Sequence, residues 1–483
     1  MLDMATIVAK NYLPQARVLA RSFARYHPRG RAYLLLADRV DNYFDPAQEP
    51  FTLIEVDELR EDIPSFERFL FQYSVLELTT ALKPYFLQFL FSKYGCEKLV
   101  YLDSDILITS PFDELETLLD QHCAILTPHI TSPFNDDKMP SEVTILQSGT
   151  NNMGFLALRK DDSTKRLLDW WKERLVRSCL MDPERGLNAD QKWMDLAPSY
   201  FEGIYLLRKP GYNVAYWNLH ERQITNEAER FRCNGGPLYF FHFSGFSPDR
   251  PNEISWHQDR HTLSSIGAAR DLFSSYARLL REAGLDECRG WPYAFGQFDN
   301  GVTIPDLARR AYLELGDGVA VFGNPFETGS RDSYYRWLTS SSGRDLAPLL
   351  KEVLKHRPDL VRAFPNVDST DRRGFLLWVL GNGKEAFGLD ELLLLEVRKS
   401  LQADEGGPGD QEVTRALAAM GVRRQVVRLY ERLRQNQALR PLLEKVKPIA
   451  KRGLDAPGRN SAHVGNEMPR REGSSSDDRR PFG

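Results

Sequence analysis

From residue 4 to about residue 258 the chain alternates short, uniformly apolar runs with stretches that are apolar at helical spacing. ATIVA (residues 5–9), AYLLLA, TLIEV and KLVYL read as strands. The segment after Pro14 and the run SVLELTTALKPYFLQFLFSKYG, closed by Gly95, read as helices. Strands that are apolar throughout are buried on both faces, and strand–helix–strand repetition yields a mostly parallel sheet covered by helices. CAILT, MGFLALR, IYLLR and LYFFHF supply further strands and DSTKRLLDWWKERLVRS a further helix, so the expected class is α/β and the domain spans residues 1–258.

Beyond it the texture changes. Residues 259–405 read as a helical domain in which VAVFG is the one strand-like run and DSYYRWL is core or, failing that, lines an acceptor cleft. The break EGGPGD opens a segment, 406–452, whose stretch 422–452 holds ten Lys or Arg against two Glu. Val422, Val426, Leu429 and Leu433 recur there at helical spacing, which predicts a basic amphipathic helix. Such a helix either packs with a solvated basic face or makes peripheral contact with an anionic membrane. The Gly-, Ser- and Pro-rich tail 453–483 is expected to be disordered.

The 483 residues are 42% hydrophobic and 27% charged with a net charge of -4, which suits ordinary globular domains and gives no pull toward nucleic acid. No apolar stretch reaches the roughly 18–20 residues that span a bilayer, and MLDMATIVAK lacks the layout of a secretory signal. The expected location is the cytoplasm, with residues 422–452 able to bring the protein to the inner face of the membrane. Five scattered cysteines without a C-x-x-C pair read as buried thiols.

Within KLVYLDSDILI (residues 98–108) two aspartates stand where a buried strand runs out, the place at which open α/β sheets bind ligands. Closely spaced hard oxygens suit Mg²⁺ or Mn²⁺. Two enzyme classes place D-x-D there. In haloacid-dehalogenase-type phosphatases Asp103 would be the nucleophile, but Leu107 stands where a small or hydroxyl-bearing residue is usual. In nucleotide-sugar glycosyltransferases the pair holds a divalent ion.

TIVAKNYLPQARVLARSFARYHP, LKPYFLQFLF, YLDSDIL, NNMGFLALRK, LNADQKWMD and FHFSGF succeed one another in an order and spacing that resembles retaining GT-A glycosyltransferases similar to glycosyltransferase family 8. The resemblance covers residues 4–258. It implies a GT-A-like, Rossmann-related mixed sheet and transfer of a sugar, with retention, from a nucleotide-diphosphate sugar to a glycan, lipid-linked or protein acceptor. By the same resemblance Asn11 and Tyr12 contact the nucleotide base and Lys83 lies over the diphosphate. Asp103, Asp105 and His242 hold Mn²⁺ or Mg²⁺, Asp103 or its partner also meeting the ribose. Asn152, two positions before Gly154, touches the transferred sugar, and Asp190 with Gln191 forms the acid–amide pair beneath the reacting carbon.

Each residue also has a plainer reading. His242 lies in an aromatic run and could be packed core, Tyr12 likewise; Lys83 could be a solvated helix residue, Asn152 a turn residue and Asp190 a helix cap. Two departures from the pattern stand out. Lys10 replaces an acid common near the base, and the lysine usual after the metal histidine is missing from HFSGFSPDRP, leaving Arg250 as the nearest cation. A sugar-phosphate nucleotidyltransferase would need glycines after the first strand, and ATIVAKNYLPQ has none. A transferase-like scaffold without catalysis is the remaining alternative.

Overall fold

The uniformly apolar runs become the core of one seven-stranded sheet. The computed structural model describes residues 1–227, 230–341 and 345–403; Met1–Leu401 form one compact unit, and the expected basic segment 406–452 and tail 453–483 lie outside the described residues. In chain order the strands are β1 (Asp3–Val8), β2 (Ala32–Leu36), β3 (Thr52–Glu55), β4 (Lys98–Leu102), β5 (Ile106–Ile108), β6 (Ala124–Pro128) and β7 (Asn151–Arg159). They continue with β8 (Met181–Asp182), β9 (Leu187–Asn188), β10 (Ile204–Leu206), β11 (Ile224–Glu227), β12 (Arg230–Cys233), β13 (Gly236–Pro237) and β14 (Phe240–His242). The main sheet has the order β10-β6-β7-β4-β1-β2-β3.

Six of these seven strands run in one direction, and β7 runs against both its neighbours, β4 and β6. The sheet is therefore mixed and mostly parallel, as expected, with β7 its one antiparallel strand. The apolar stretch MGFLAL within this nine-residue strand carries no mark of its direction, because both arrangements bury both faces. Side chains alternate across the sheet as the pleat requires. Ala5, Ile7, Leu99 and Tyr101 enter one core while Met4, Val8, Val100 and Leu102 enter the other.

Helices α1 (Leu13–Tyr26), α2 (Phe66–Gln72), α3 (Val75–Ala81), α4 (Lys83–Lys93), α5 (Asp113–Gln121), α6 (Glu142–Ser148), α7 (Asp162–Leu175), α8 (Ala197–Tyr200) and α9 (Ala269–Glu282) accompany the strands in chain order. The helical stretch SVLELTTALKPYFLQFLFSKYG divides into two helices at Pro84, which opens the second and has no N–H to give the carbonyl four residues back. Ser74 and Glu77 cap the first of the pair reciprocally, and the break places Lys83 at the start of α4, buried.

A third apolar cluster unites Phe298 to Leu401 and takes in Phe71 of α2, whose ring lies edge-on to Tyr312 at 4.9 Å and to Tyr334 at 5.4 Å. Arg309 donates to the carbonyls of Phe71 (2.6 Å) and Phe295 (2.7 Å). This region is helical as expected, with DSYYRWL in the core through Tyr334 and Leu338. VAVFG is not a strand: it belongs to the 3-10 stretch Gly316–Phe322, with Val321 exposed. All five cysteines are buried and free.

Candidate active site

Because β1, β4 and β6 point the same way, they leave the sheet at one edge, and β7, running against them, enters there. The residues just past β1 (Asn11, Tyr12), β4 (Asp103, Asp105) and β6 (His129) are thereby collected along that edge, together with Asn152 at the start of β7. His242 arrives separately. Strand β14 pairs antiparallel with β5, setting His242 opposite Ile106, the residue after Asp105. Period two decides which way the aromatic run faces. Phe241 and Phe243 turn toward Phe273 of α9 (5.3 and 5.1 Å between centroids), and Phe243 stacks on Tyr276 at 4.0 Å. His242 points the other way, to the acids.

One ligand atom each from Asp103, Asp105 and His242 lie within 4.8 Å of one another. His242 Nε2 is 3.0 Å from Asp105 Oδ1 and 4.0 Å from Asp103 Oδ2. Its Nδ1 is 3.1 Å from Asn213 Oδ1. The Asn213 amide nitrogen is already donating to Asn152 Oδ1 and Thr127 Oγ1, both at 2.9 Å, so its oxygen is left to accept from Nδ1–H and Nε2 is presented to the carboxylates. Gly154 donates to Asn152 Oδ1 at 3.1 Å, and a Cβ at this position would run into the His242 ring and the Asp103 carboxyl. Only glycine lets β7 pass this close.

Lys83 closes the other side. Its ammonium is 3.0 Å from Asp190 Oδ2 and 3.5 Å from Asp103 Oδ1, donates to the Met153 carbonyl at 3.0 Å and lies 4.6 Å over the Tyr101 ring. Tyr101 donates its hydroxyl to Asp103 Oδ1 at 3.0 Å. The Lys83 ammonium, the His242 imidazole and three carboxylates thus lie together at this edge. Burial pulls the His242 and Lys83 pKa values down, but the facing carboxylates outweigh it and both end raised. Burial lifts the Asp105 carboxyl and His242 more than reverses that, so Asp105 ends lowered. Asp190 ends raised, because burial exceeds the help of Lys83.

The plainer readings fall away at several positions. Lys83 is not solvated, Tyr12 is 51% exposed rather than core, and Asp190 pairs with Lys83 instead of capping a helix, the next element being a short 3-10 turn, Lys192–Asp195, without a side-chain cap. The surroundings of its hydroxyl, partly shielded from water although half the residue is exposed, raise the Tyr12 phenol pKa, and the Asp105 charge adds to this. Asn11 shares its turn. Gln191 is fully engaged: its Oε1 accepts from the Met153 N–H (3.0 Å) and Asn152 Nδ2 (3.3 Å), and its Nε2 donates to the Ser148 carbonyl (2.8 Å) at the end of α6. Lys10 is buried and paired with Asp38 (3.3 Å) and Asp41 (2.9 Å). Arg250 is exposed in a pair with Glu253 at 2.8 Å.

Sequence reasoning missed Asn213, His129, Tyr101 and Trp217, whose ring meets His242 edge-on at 5.1 Å and His129 at 5.2 Å. His129 had a signal, since it comes directly after CAILTP at a strand end just as Asp103 comes directly after KLVYL. Asn213 had only its place in GYN: it adopts φ 51°, a left-handed conformation that asparagine tolerates. No helix among the described residues is long and apolar enough to cross a membrane.

No family model matches the sequence. Among curated proteins the chain is 31% identical to the uncharacterized YfnF of Bacillus subtilis (strain 168) over 187 residues, 37% of this chain. It spans 59% of that relative's length. It is 23% identical to the uncharacterized YfnD of the same organism over 274 residues, 54% of this chain and 85% of that one. Solved structures it resembles include the galactosyltransferase LgtC with donor and acceptor sugar analogs (16% identity, 57% of this chain and 95% of that chain, TM-score 0.34). Another is the glycosyltransferase GlyE of Streptococcus pneumoniae TIGR4 (16% identity, 62% and 67%, TM-score 0.35). The likeness is loose, and the site stands on its own geometry.

Proposed function

We propose that the chain is a metal-dependent glycosyltransferase that moves a sugar from a nucleoside-diphosphate sugar to an acceptor, with retention of configuration. The observation that carries this reading is the convergence of Asp103, Asp105 and His242 at the carboxyl edge of the sheet, with Lys83 beside them. Two carboxylate oxygens and one imidazole nitrogen form a donor set suited to Mn²⁺ or Mg²⁺. The fit extends outward: Asn213 holds the imidazole with Nε2 toward the acids, and glycine at 154 leaves the room. A divalent ion held there supplies fixed positive charge to the oxygens of a departing diphosphate.

The remaining work belongs to side chains. Tyr12, exposed on the turn after β1, offers a face for a nucleobase and Asn11 a hydrogen-bonding amide beside it. Lys83 adds a second positive charge behind Asp103, held by Asp190 so that it needs no reorganisation as charge develops. Asn152 is turned by Asn213, Gly154 and Gln191 into one orientation from which it meets the sugar. Asp190 and Gln191 act as positioning residues of the acid–amide floor, one through Lys83 and the other through β7. Among these groups none stands free as a nucleophile, which favours departure and attack on one face of the sugar. The phosphatase alternative is not favoured: Asp103 Oδ1 accepts from Tyr101 and faces Lys83, and Oδ2 is turned toward the imidazole that completes the acid–histidine cluster.

A panel of nucleotide sugars incubated with Mn²⁺, read as released nucleoside diphosphate, tests the proposal. Hydrolysis or transfer with at least one donor, abolished by EDTA and restored by Mn²⁺, is expected; turnover indifferent to chelation refutes the metal role, and turnover of a generic phosphomonoester instead of any donor refutes the reading.

A further inference from the structure

Away from the acid–histidine edge, α1, the β11–β12–β13 sheet and α9 enclose a groove of about 1130 Å³. That exceeds the usual size of a small-molecule pocket, roughly 300–1,000 Å³. Its walls are basic in a regular way. Arg21 and Arg25 stand one turn apart on the face of α1 that also offers Val18, and Arg230 and Arg232 alternate along β12. Lys209 is a fifth cation, but Glu114 holds it at 2.8 Å, and Glu227 holds Arg232 at 2.7 Å. Among the described residues Arg21, Arg25 and Arg230 have no ion-pair partner. Phe231, Tyr239, Leu272 and Leu279 give the lining an apolar and aromatic part, beside the hydroxyls of Ser22, Thr109, Ser110 and Ser275.

We propose that this groove binds an acidic glycan chain, its sugar faces on the apolar and aromatic wall and its anions on the unpaired guanidinium groups. Arginine forks suit carboxylate and phosphate alike. Asp113 and Glu114 also line the groove, so its positive charge is interrupted, unlike the continuous basic track that a nucleic-acid backbone favours. The arginines of each pair rise from backbone positions about 6 Å apart for residues four apart on a helix and about 7 Å apart for residues two apart on a strand. The concave shape disfavours a flat lipid surface. The choice of a glycan rests on the transferase reading above; the charge pattern does not.

The test measures binding of the full chain to oligogalacturonate, phosphorylated dextran, neutral dextran, single-stranded RNA and anionic lipid vesicles by calorimetry at two salt concentrations. Donor turnover with Mn²⁺ is measured in parallel. Salt-sensitive binding of either acidic glycan, weakened about tenfold or more in Arg21→Glu/Arg25→Glu with donor turnover unchanged, is expected. Which glycan binds identifies carboxylate or phosphate as the anion. Equal binding of neutral dextran, tighter binding of RNA, binding to vesicles alone, or an affinity for acidic glycan that the double variant leaves intact would each overturn the proposal. If the donor panel fails while acidic glycan still binds through these arginines, the transferase reading falls and the groove remains.

Discussion

The sheet edge and the helical region from Phe298 to Leu401 solve opposite problems. The helical region is cemented by rings and aliphatic side chains, Phe71, Tyr312, Tyr334 and Leu350 among them, with few charges inside. The edge instead gathers Lys83, Asp190, His242 and, 34% and 30% exposed in their side chains, Asp103 and Asp105. Burying charge is costly unless it is paired, and a paired cluster is often no more stable than an apolar core of equal volume. The apolar region is thus arranged for stability. The edge accepts a cost, which makes sense where a cation and a diphosphate complete the balance.

The comparison can be broken most sharply at Asp105. Asp105→Asn is expected to cut donor turnover about a thousandfold, by loss of a cation ligand at the leaving group, while shifting folding free energy by no more than about 1 kcal/mol, since the Asp105 side chain is partly solvent-exposed. The counterpart is Tyr334→Ala in the helical region. It should lose about 3–5 kcal/mol in denaturant unfolding and leave Mn²⁺ affinity of the folded protein unchanged. A Tyr334 variant that loses metal while still folded would mean that the two regions are not separable.

Lys83→Met should cost a similar amount, about 3–5 kcal/mol, because Asp190 would stay buried without its cation. Lys83→Met/Asp190→Asn should recover much of that stability without recovering turnover, which separates the structural pair from its role at the diphosphate. Next in size is a pH effect. Burial lowers the His129 pKa from its ordinary 6.5 to about 4. The unfolded chain therefore takes up this proton first, and stability falls as pH drops through that window and levels off below it, by about 3 kcal/mol in all. Chemical denaturation between pH 7 and 4 should show the slope, and His129→Gln should flatten it. The smallest expected effect is Tyr12→Ala, weakening nucleoside-diphosphate binding by about 1–2 kcal/mol with no loss of stability, since the ring is exposed.

Much of the edge was legible from one local pattern and one resemblance. A uniformly apolar strand ending in D-x-D placed Asp103 and Asp105 at the carboxyl edge, while His242 was reached only through the family resemblance, because its aromatic run reads locally as core. The direction of β7 was not legible; the helix start at Lys83 was, because Pro84 follows it, although the apolar period runs on across that point. Asn213 was hidden for another reason. Its value lies in a left-handed backbone and in partners 29, 61 and 86 residues away, which no local pattern announces. The position of Lys10, turned inward to Asp38 and Asp41, likewise depends on a loop brought beside it only by folding.

The central claim is that Asp103, Asp105 and His242 hold one divalent ion that in turn holds a diphosphate. Electron paramagnetic resonance of Mn²⁺ titrated into the protein, with and without a nucleoside diphosphate, addresses it directly. One bound ion is predicted, tightened by the diphosphate, and lost in both Asp105→Asn and His242→Ala while circular dichroism shows them folded. Mn²⁺ binding that survives both substitutions, or no bound ion at all in the presence of the diphosphate, would contradict it.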